Sequence, residues 1–346
     1  MIVAPPPGIS SEQPVCSVCI ANYNGVDVIG LCLDSVLSQD FDHAVEIIVH
    51  DDASTDESTS YIRRCFPQVQ LLTSDDNVGF CVSNNRMVAK ARGRFILLLN
   101  NDATLFPDAL RVLHEHAMLQ KKPGIVGLPQ YDMQTGDLID IGSCLDVFLN
   151  PVPNRDPNRH QVGMVTGACL WLPKVLWDEL GGFPPFFGSL AEDLYLCCMA
   201  RTKGYPVSVA PTSGFHHWVG RSLGGGRVID NALRTSYSRR ALSERNRLFV
   251  LLLVFPIPWI LFFAPLHLMV LTLEGISATL LARNRRLWKE VYARCLKEFF
   301  ADLGTIRRYR SQHPCGLSLM ARSVSGLMPK YHKLSMVLKH GLPIVE

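Results

Sequence analysis

The residues with the most chemistry to offer stand together at Asn100-Asn101-Asp102, directly after the apolar run Phe95–Leu99. Two amides and a carboxylate at the end of a short buried strand suit a hard divalent cation that bridges to phosphate oxygens. In an open α/β sheet, ligands bind beyond the carboxyl ends of the strands, where these three would project. The structural alternative is a turn leading into a helix, since Asn and Asp are common turn formers. A second acidic pair, Glu192-Asp193, precedes Leu196, Met199 and Ala200 at helical spacing. Both carboxylates then fall in a first helical turn, where the macrodipole favours anions, and capping alone would explain them.

Those groups need a frame, and the flanking sequence describes one. Phe95–Leu99 is wholly apolar and too short for a core helix, so it reads as a strand buried on both faces. Val15–Ala21, Val45–Val49 and Val69–Thr73 are runs of the same kind, each followed by a polar loop. Ile29, Cys32, Leu33, Val36 and Leu37 keep helical spacing, and a further helix is expected from Phe80 to about Ala91. Ser54-Thr55-Asp56-Glu57 reads as a capping box that starts a helix, and Pro107 as the first residue of another. Strands alternating with helices predict βαβ units and a doubly wound, mostly parallel sheet. The G-x-G-x-x-G and Walker A turns of other nucleotide folds are absent. A metal at Asp102 is another way to hold phosphate.

With 346 residues there is room for one large α/β domain and roughly a hundred residues more. Mean hydropathy is +0.14, high for a soluble protein, so one region must be unusually apolar. Charge is lopsided: Arg239–Lys339 holds 17 Lys/Arg against 5 Asp/Glu, although the whole chain is only +3. An acidic body with a basic tail argues against a nucleic-acid partner and for a surface-seeking C-terminus. The 11 cysteines have no disulfide-like spacing, so reduced thiols are expected. Cys16 and Cys19 would point to opposite faces of a strand, which disfavours a zinc pair. The opening MIVAPPPGIS lacks a signal peptide's basic and apolar regions, and residues 1–13 are expected to be a disordered lead-in.

The series CIANYNG, EIIVHDDASTD, DDNVGFCVSNN and FILLLNNDATL resembles the family 2 glycosyltransferases of the GT-A fold. The likeness is strongest to bacterial rhamnosyltransferase-type members that build surface polysaccharide. It continues through GACLWLP, GGFPPFFGSLAEDLYLC and HWVGRS, and more weakly through SERNRLFVLLL. It implies a catalytic domain over 14–238, with a nucleotide-sugar half at 14–128 and an acceptor half at 129–238. Asn22, Tyr23, Asn24 and Asp52 would then hold the nucleobase and ribose of a nucleoside-diphosphate sugar. Asn77, Gly79 and Asn85 match the donor-pocket stretch, and Asn101 stands beside it. Asp102 is the one carboxylate of a motif that has Asn100 at its first position. It would ligate Mg²⁺ or Mn²⁺ with His217, while Arg221 would neutralise phosphate charge. The resemblance makes Asp193 the general base that deprotonates an acceptor hydroxyl as that oxygen attacks from the face opposite the nucleotide. Glu192 and Trp171 are assigned to the acceptor side. Where relatives often carry another Asp, this chain has Tyr195.

Leu248–Leu273 contains no Asp, Glu, Lys or Arg, which permits a membrane span by length, but Pro256, Pro258 and Pro265 interrupt it. Arg239, Arg240, Arg245 and Arg247 precede it and Arg283, Arg285 and Arg286 follow. Basic flanks on both sides favour a broken helical pair lying on or re-entering the cytoplasmic leaflet, within a basic, helical, membrane-associating region over 239–346. The alternative is a buried hairpin that caps the domain or joins a homodimer. The function expected is inverting transfer of a sugar, L-rhamnose from a dTDP or UDP donor first among the candidates, to a lipid-linked glycan. A nucleotidyltransferase would need a phosphate loop that Ala21–Val26 lacks, and an inactive scaffold of a polysaccharide assembly is the third reading.

Overall fold

The computed structural model describes residues 13–220, 225–229, 232–313, 327–328 and 331–345, with backbone alone at 225–229, 232–233 and 328. Of the lead-in expected over 1–13 only Gln13 is among the described residues, and the phosphate role expected of Arg221 lies outside them. The strands are β1 (Cys16–Asn22), β2 (Val45–Asp51), β3 (Gln70–Thr73), β4 (Phe95–Asn100), β5 (Ala103–Leu105), β6 (Ile125–Gly127) and β7 (Gln130–Asp132). They continue with β8 (Leu138–Asp140), β9 (Ser143–Asp146), β10 (Pro151–Pro153), β11 (Cys169–Pro173), β12 (Val207–Val209) and β13 (Phe215–His217).

Seven strands form the main sheet in the order β12-β6-β11-β4-β1-β2-β3. β1 pairs in parallel with β2 and β4, and β2 with β3, while β11 runs antiparallel to β4 and β6. The sheet is thus doubly wound and mostly parallel, as the alternation of elements predicts. In the β1–β4 register Ala21 lies opposite Asn100, so the polar stops of the two strands end side by side. A smaller sheet, β5-β13-β7-β8, starts from the loop after β4 and sets His217 opposite Ala103.

The helices are α1 (Val26–Leu37), α2 (Ser58–Cys65), α3 (Phe80–Lys90), α4 (Ala109–Leu119), α5 (Lys174–Leu180), α6 (Glu192–Thr202), α7 (Tyr237–Val254) and α8 (Ile257–Leu281). α1 and α4 bury Ile29, Leu33, Leu110 and Leu113 on one face of the sheet with Cys16, while α3, α6 and α7 cover the other with Cys19. Cys16 and Cys19 do face opposite ways. Among the described residues every cysteine is free.

Two helix starts differ from the sequence expectation. α2 begins at Ser58 rather than at the Ser54 box. The Ser54 hydroxyl instead accepts the Asn24 amide at 2.9 Å, and Asp56 takes the Ser58 and Val26 amides at 3.0 Å each. Contacts between loops outcompete the local cap. α4 begins at Ala109 with Asp108 as its N-cap, so Pro107 stands just before the helix.

The apolar run divides into two halves with different environments. Leu248, Phe249, Val250 and Leu251, in the last turns of α7, are wholly buried in the same core as α3 and α6. The run is broken at Phe255-Pro256, as expected of a helical pair, and α8 then continues for 25 residues through Pro265 as one helix. It packs through Ala264, His267, Leu271, Gly275 and Ala278. Its other side leaves Leu261 at 73% and Phe262 at 63% exposure. By length and composition it is able to cross a membrane. The upstream basic flank is not free for lipid. Arg240 pairs with Glu274 at 2.8 Å and Arg245 with Glu298 at 2.9 Å, while Arg247 meets Glu244 and Lys333 also binds Glu244 at 2.6 Å. Arg283, Arg285 and Arg286 remain exposed after α8.

Candidate active site

A cavity of about 820 Å³ opens over the carboxyl ends of β1, β2 and β4 and reaches the start of α6. Its floor is a chain of amide and carboxylate bonds between strand ends. Asn22 Nδ2 donates to Asp51 at 2.9 Å, and Asn101 Nδ2 donates to Asn22 Oδ1 at 2.8 Å. Gly25 lets α1 start against this pair, because a Cβ there would collide with both the Asn101 and the Asn22 side chains. Tyr23 is 52% exposed at the mouth, its ring free to stack on a planar ligand. Asn24, at φ 48°, turns its side-chain oxygen to the Thr55 amide at 2.8 Å and so braces the loop.

Asp52 is buried and straps the next loop. Its carboxylate accepts the amides of Val78 at 2.8 Å and Gly79 at 2.9 Å, and the Ser74 hydroxyl at 3.1 Å. Asn77 reaches the Asp52 carbonyl at 3.4 Å. Gly79 has φ +85°, a conformation open to glycine, and sits against the Gly188 backbone. Oδ1 takes both the Val78 amide and the Ser74 hydroxyl, whereas Oδ2 accepts only the Gly79 amide and keeps lone-pair capacity for a ligand N–H.

At the end of β4, Asp102 Oδ1 stands 3.2 Å from His217 Nε2. Asp102 Oδ1 and Asn100 Oδ1 are buried, with no hydrogen-bond partner among the described residues. Orphaned oxygens beside an imidazole fit a divalent cation. The Gln130 amide meets His217 Nδ1 at 2.9 Å and fixes the ring. It is the Gln130 Nε2 that faces Nδ1, and Asn100 Nδ2 stands 3.4 Å from Nε2. Among the described residues no group of three or more His, Cys, Asp and Glu gathers anywhere. A cation here must take its other ligands from phosphate oxygens and water.

The far wall is the head of α6. Asp193 Oδ2 accepts the Gly167 amide at 2.9 Å and Oδ1 accepts the Leu194 amide at 2.7 Å. Burial raises the Asp193 pKa, and these two N–H groups and the Arg239 guanidinium pull it back. Glu192 Oε2 has no hydrogen-bond partner among the described residues. Burial first, then the neighbouring Asp193 charge, push Glu192 up to about 8. Both acids of the pair are thus raised by burial, and the Gly167 and Leu194 N–H groups favour the ionised form of Asp193.

The expected residues do not all meet. Trp171 is fully buried in the core, stacked on Phe95 with centroids 5.0 Å apart, and does not line the cavity. On a strand buried on both faces, the wholly apolar sequence gives no sign of which way a side chain points. Asn85 is also outside the lining: its amide donates to the Phe183 carbonyl at 2.8 Å and accepts the Phe183 N–H at 3.0 Å. Tyr195 is buried 5.9 Å from the Phe187 ring. Conversely Arg239, on the first turn of α7, does line the cavity, although in sequence it reads only as part of a basic flank. No local signal marks it.

The sequence and the fold are both shared with known proteins. A family model described as glycosyl transferase family group 2 matches residues 95–293, and one described as glycosyl transferase family 2 matches residues 17–159. The chain belongs to the family 2 glycosyltransferases. It is 36% identical over 113 residues to the succinoglycan biosynthesis protein ExoO of Rhizobium meliloti, covering 32% of each sequence. It is 29% identical over 145 residues to the putative teichuronic acid biosynthesis glycosyltransferase TuaG of Bacillus subtilis, covering 41% of this chain and 55% of that one. In both cases the chain aligns with less than two thirds of the relative. A structure of GalNAc-T7 with UDP, GalNAc and Mn²⁺ shares the fold at TM-score 0.60 and 14% identity, over 96% of this chain and 59% of that one. A mannosyltransferase from Pyrobaculum calidifontis, in complex with GDP-Man and Mn²⁺, does so at 0.50 and 19%, over 93% and 89%. The GT-A fold expected from the sequence is the fold observed.

Proposed function

We propose that the chain is an inverting glycosyltransferase of polysaccharide biosynthesis that uses a nucleoside-diphosphate sugar and a divalent cation. The observation that carries this reading is the shared cavity. One wall offers Asp102 and His217, with orphaned oxygens for a cation; the opposite wall offers Asp193, held by two backbone N–H groups. The diphosphate lies toward Asp102 and His217 with the base and ribose along Asn22, Tyr23, Asn24, Asp52, Asn77 and Gly79. A bound Mg²⁺ or Mn²⁺, held by Asp102 and His217, would supply charge neutralisation for the diphosphate. Asp193 accepts the proton of an acceptor hydroxyl as that oxygen attacks the anomeric carbon, and Glu192, protonated at neutral pH, donates a hydrogen bond to the acceptor. The Arg239 guanidinium favours the ionised form of Asp193.

The names of ExoO and TuaG support a surface or secreted polysaccharide as product, and the Mn²⁺ in the two structural neighbours supports the cation. The acceptor we propose is a growing lipid-linked glycan at the cytoplasmic face of a bacterial membrane. The exposed apolar side of α8 and the arginines that follow it would contact the anionic lipid surface. The experiment is nucleotide release from a panel of dTDP-, UDP- and GDP-sugars with a lipid-linked acceptor, dTDP-L-rhamnose first. Release that depends on one donor and on the acceptor supports the reading; no release from any donor contradicts it.

A further inference from the structure

We propose that Asn246, which does not line the cavity, is the positioning residue of its Gly188–Ala191 wall. Asn246 lies on α7 and is 0% exposed. Its Nδ2 donates toward three successive parts of one loop: the carbonyls of Phe187 at 3.1 Å, Ser189 at 2.9 Å and Leu190 at 2.7 Å. Its Oδ1 accepts the Arg245 Nε–H at 2.9 Å, and Arg245 also donates to the Phe187 carbonyl at 3.2 Å. Three acceptors on one side and a guanidinium donor on the other allow a single orientation of the amide.

The loop needs such a hold. Gly188, Leu190 and Ala191 have φ of +70°, +72° and +65°, and two of these residues carry a Cβ that disfavours the left-handed region. Strain of this kind persists only where the surroundings over-determine it. The consequence reaches the chemistry at two points. Ala191 is the N-cap of α6, so its backbone sets the direction in which Glu192 and Asp193 leave. The Gly188 carbonyl accepts the Cys81 amide at 3.1 Å, next to the strap that Asp52 makes to Gly79. One buried amide thus holds the acidic pair in register with the nucleotide side. The same helix carries Arg239 on its first turn.

This inference rests on the glycosyl-transfer reading with Asp193 as base, and the test separates the two. Asn246→Ala should lower kcat at saturating donor by about 30–100-fold, the scale expected when reacting groups are misplaced by about an ångström. Nucleotide Kd should stay within about threefold. Adding Ala191→Gly, which adopts the left-handed conformation without a Cβ penalty, should return about fivefold or more of the lost kcat. If Asn246→Ala does not fold, Asn246→Ser, with one donor left, takes its place in the same comparison. Turnover near that of the parent overturns the proposal. So does loss of turnover, nucleotide affinity and melting temperature together with no recovery from Ala191→Gly, since that pattern is ordinary destabilisation. If Asp193→Asn retains turnover while Asn246→Ala loses it and Ala191→Gly restores it, the positioning role stands and the base is another group.

Discussion

His217 Nε2 and Asp102 Oδ1 face each other across 3.2 Å, brought there by the pairing of β13 with β5 although the two residues are far apart in sequence. With Asn100 Oδ1 unpartnered beside them, the two groups offer a nitrogen and two oxygens that suit a divalent cation.

Metal removal is therefore expected to abolish transfer. Activity should vanish in EDTA and return with Mn²⁺ or Mg²⁺. Asp102→Ala should lose metal-dependent nucleotide binding, measured by calorimetry, with its melting temperature close to the parent's. Full turnover in chelator would remove the metal from the account.

Glu192 gives a pH dependence of defined sign. Its pKa is raised from 4.5 to about 8 by burial, so between these values the folded state holds a proton that the unfolded state has released. Stability is then fully present below about pH 4.5 and is lost as pH rises through about 8. The effect is on the order of a few kcal/mol at 1.36 kcal/mol per pH unit. Glu192→Gln keeps the shape and cannot ionise. Chemical denaturation at pH 5, 7 and 9 should show a smaller decline in the variant, and equal declines would mean that Glu192 is ionised throughout.

Trp171 should behave as a core residue. Trp171→Ala removes a fully buried ring stacked on Phe95 and should cost about 3–5 kcal/mol of stability. At a temperature where the variant is folded, acceptor KM should be close to normal. A large rise in acceptor KM with unchanged stability would return Trp171 to the acceptor side.

The tail prediction is best made on the exposed face of α8. Truncation before Arg245 would remove the buried Leu248–Val254 and so destroy core rather than test lipid contact. Leu261→Glu with Phe262→Glu changes only exposed positions. It should abolish co-sedimentation with anionic vesicles and leave transfer to a short soluble acceptor intact. Salt should weaken the parent's vesicle binding only in part, because apolar insertion is not screened. Unchanged vesicle binding in the variant would point to a protein partner for this face.

What the sequence disclosed and what it hid have a common physical basis. Asn22, Asp52 and Asp102 were legible because each is a polar stop on an apolar strand, and a parallel sheet brings such stops together. Arg239 and Asn246 were not. Asn246 meets its partners Phe187, Ser189 and Leu190 across 56 to 59 residues of chain, and nothing local records a contact of that kind. The basic run before the apolar segment misled for the same reason. Arg240 and Arg245 look like a membrane flank in sequence, yet their partners Glu274 and Glu298 are supplied by tertiary structure, while Arg247 pairs with Glu244 one turn back on the same helix.

If Asp193 removes the acceptor proton, its amide variant separates turnover from donor binding. Asp193→Asn is nearly isosteric, although its amide cannot accept both the Gly167 and the Leu194 N–H. Donor affinity should be measured first by titration, then turnover at saturating donor and acceptor. The account predicts near-parent donor affinity with kcat lower by roughly 10²–10⁴-fold, the size of a general-base contribution. Near-normal kcat would contradict it and move the base elsewhere.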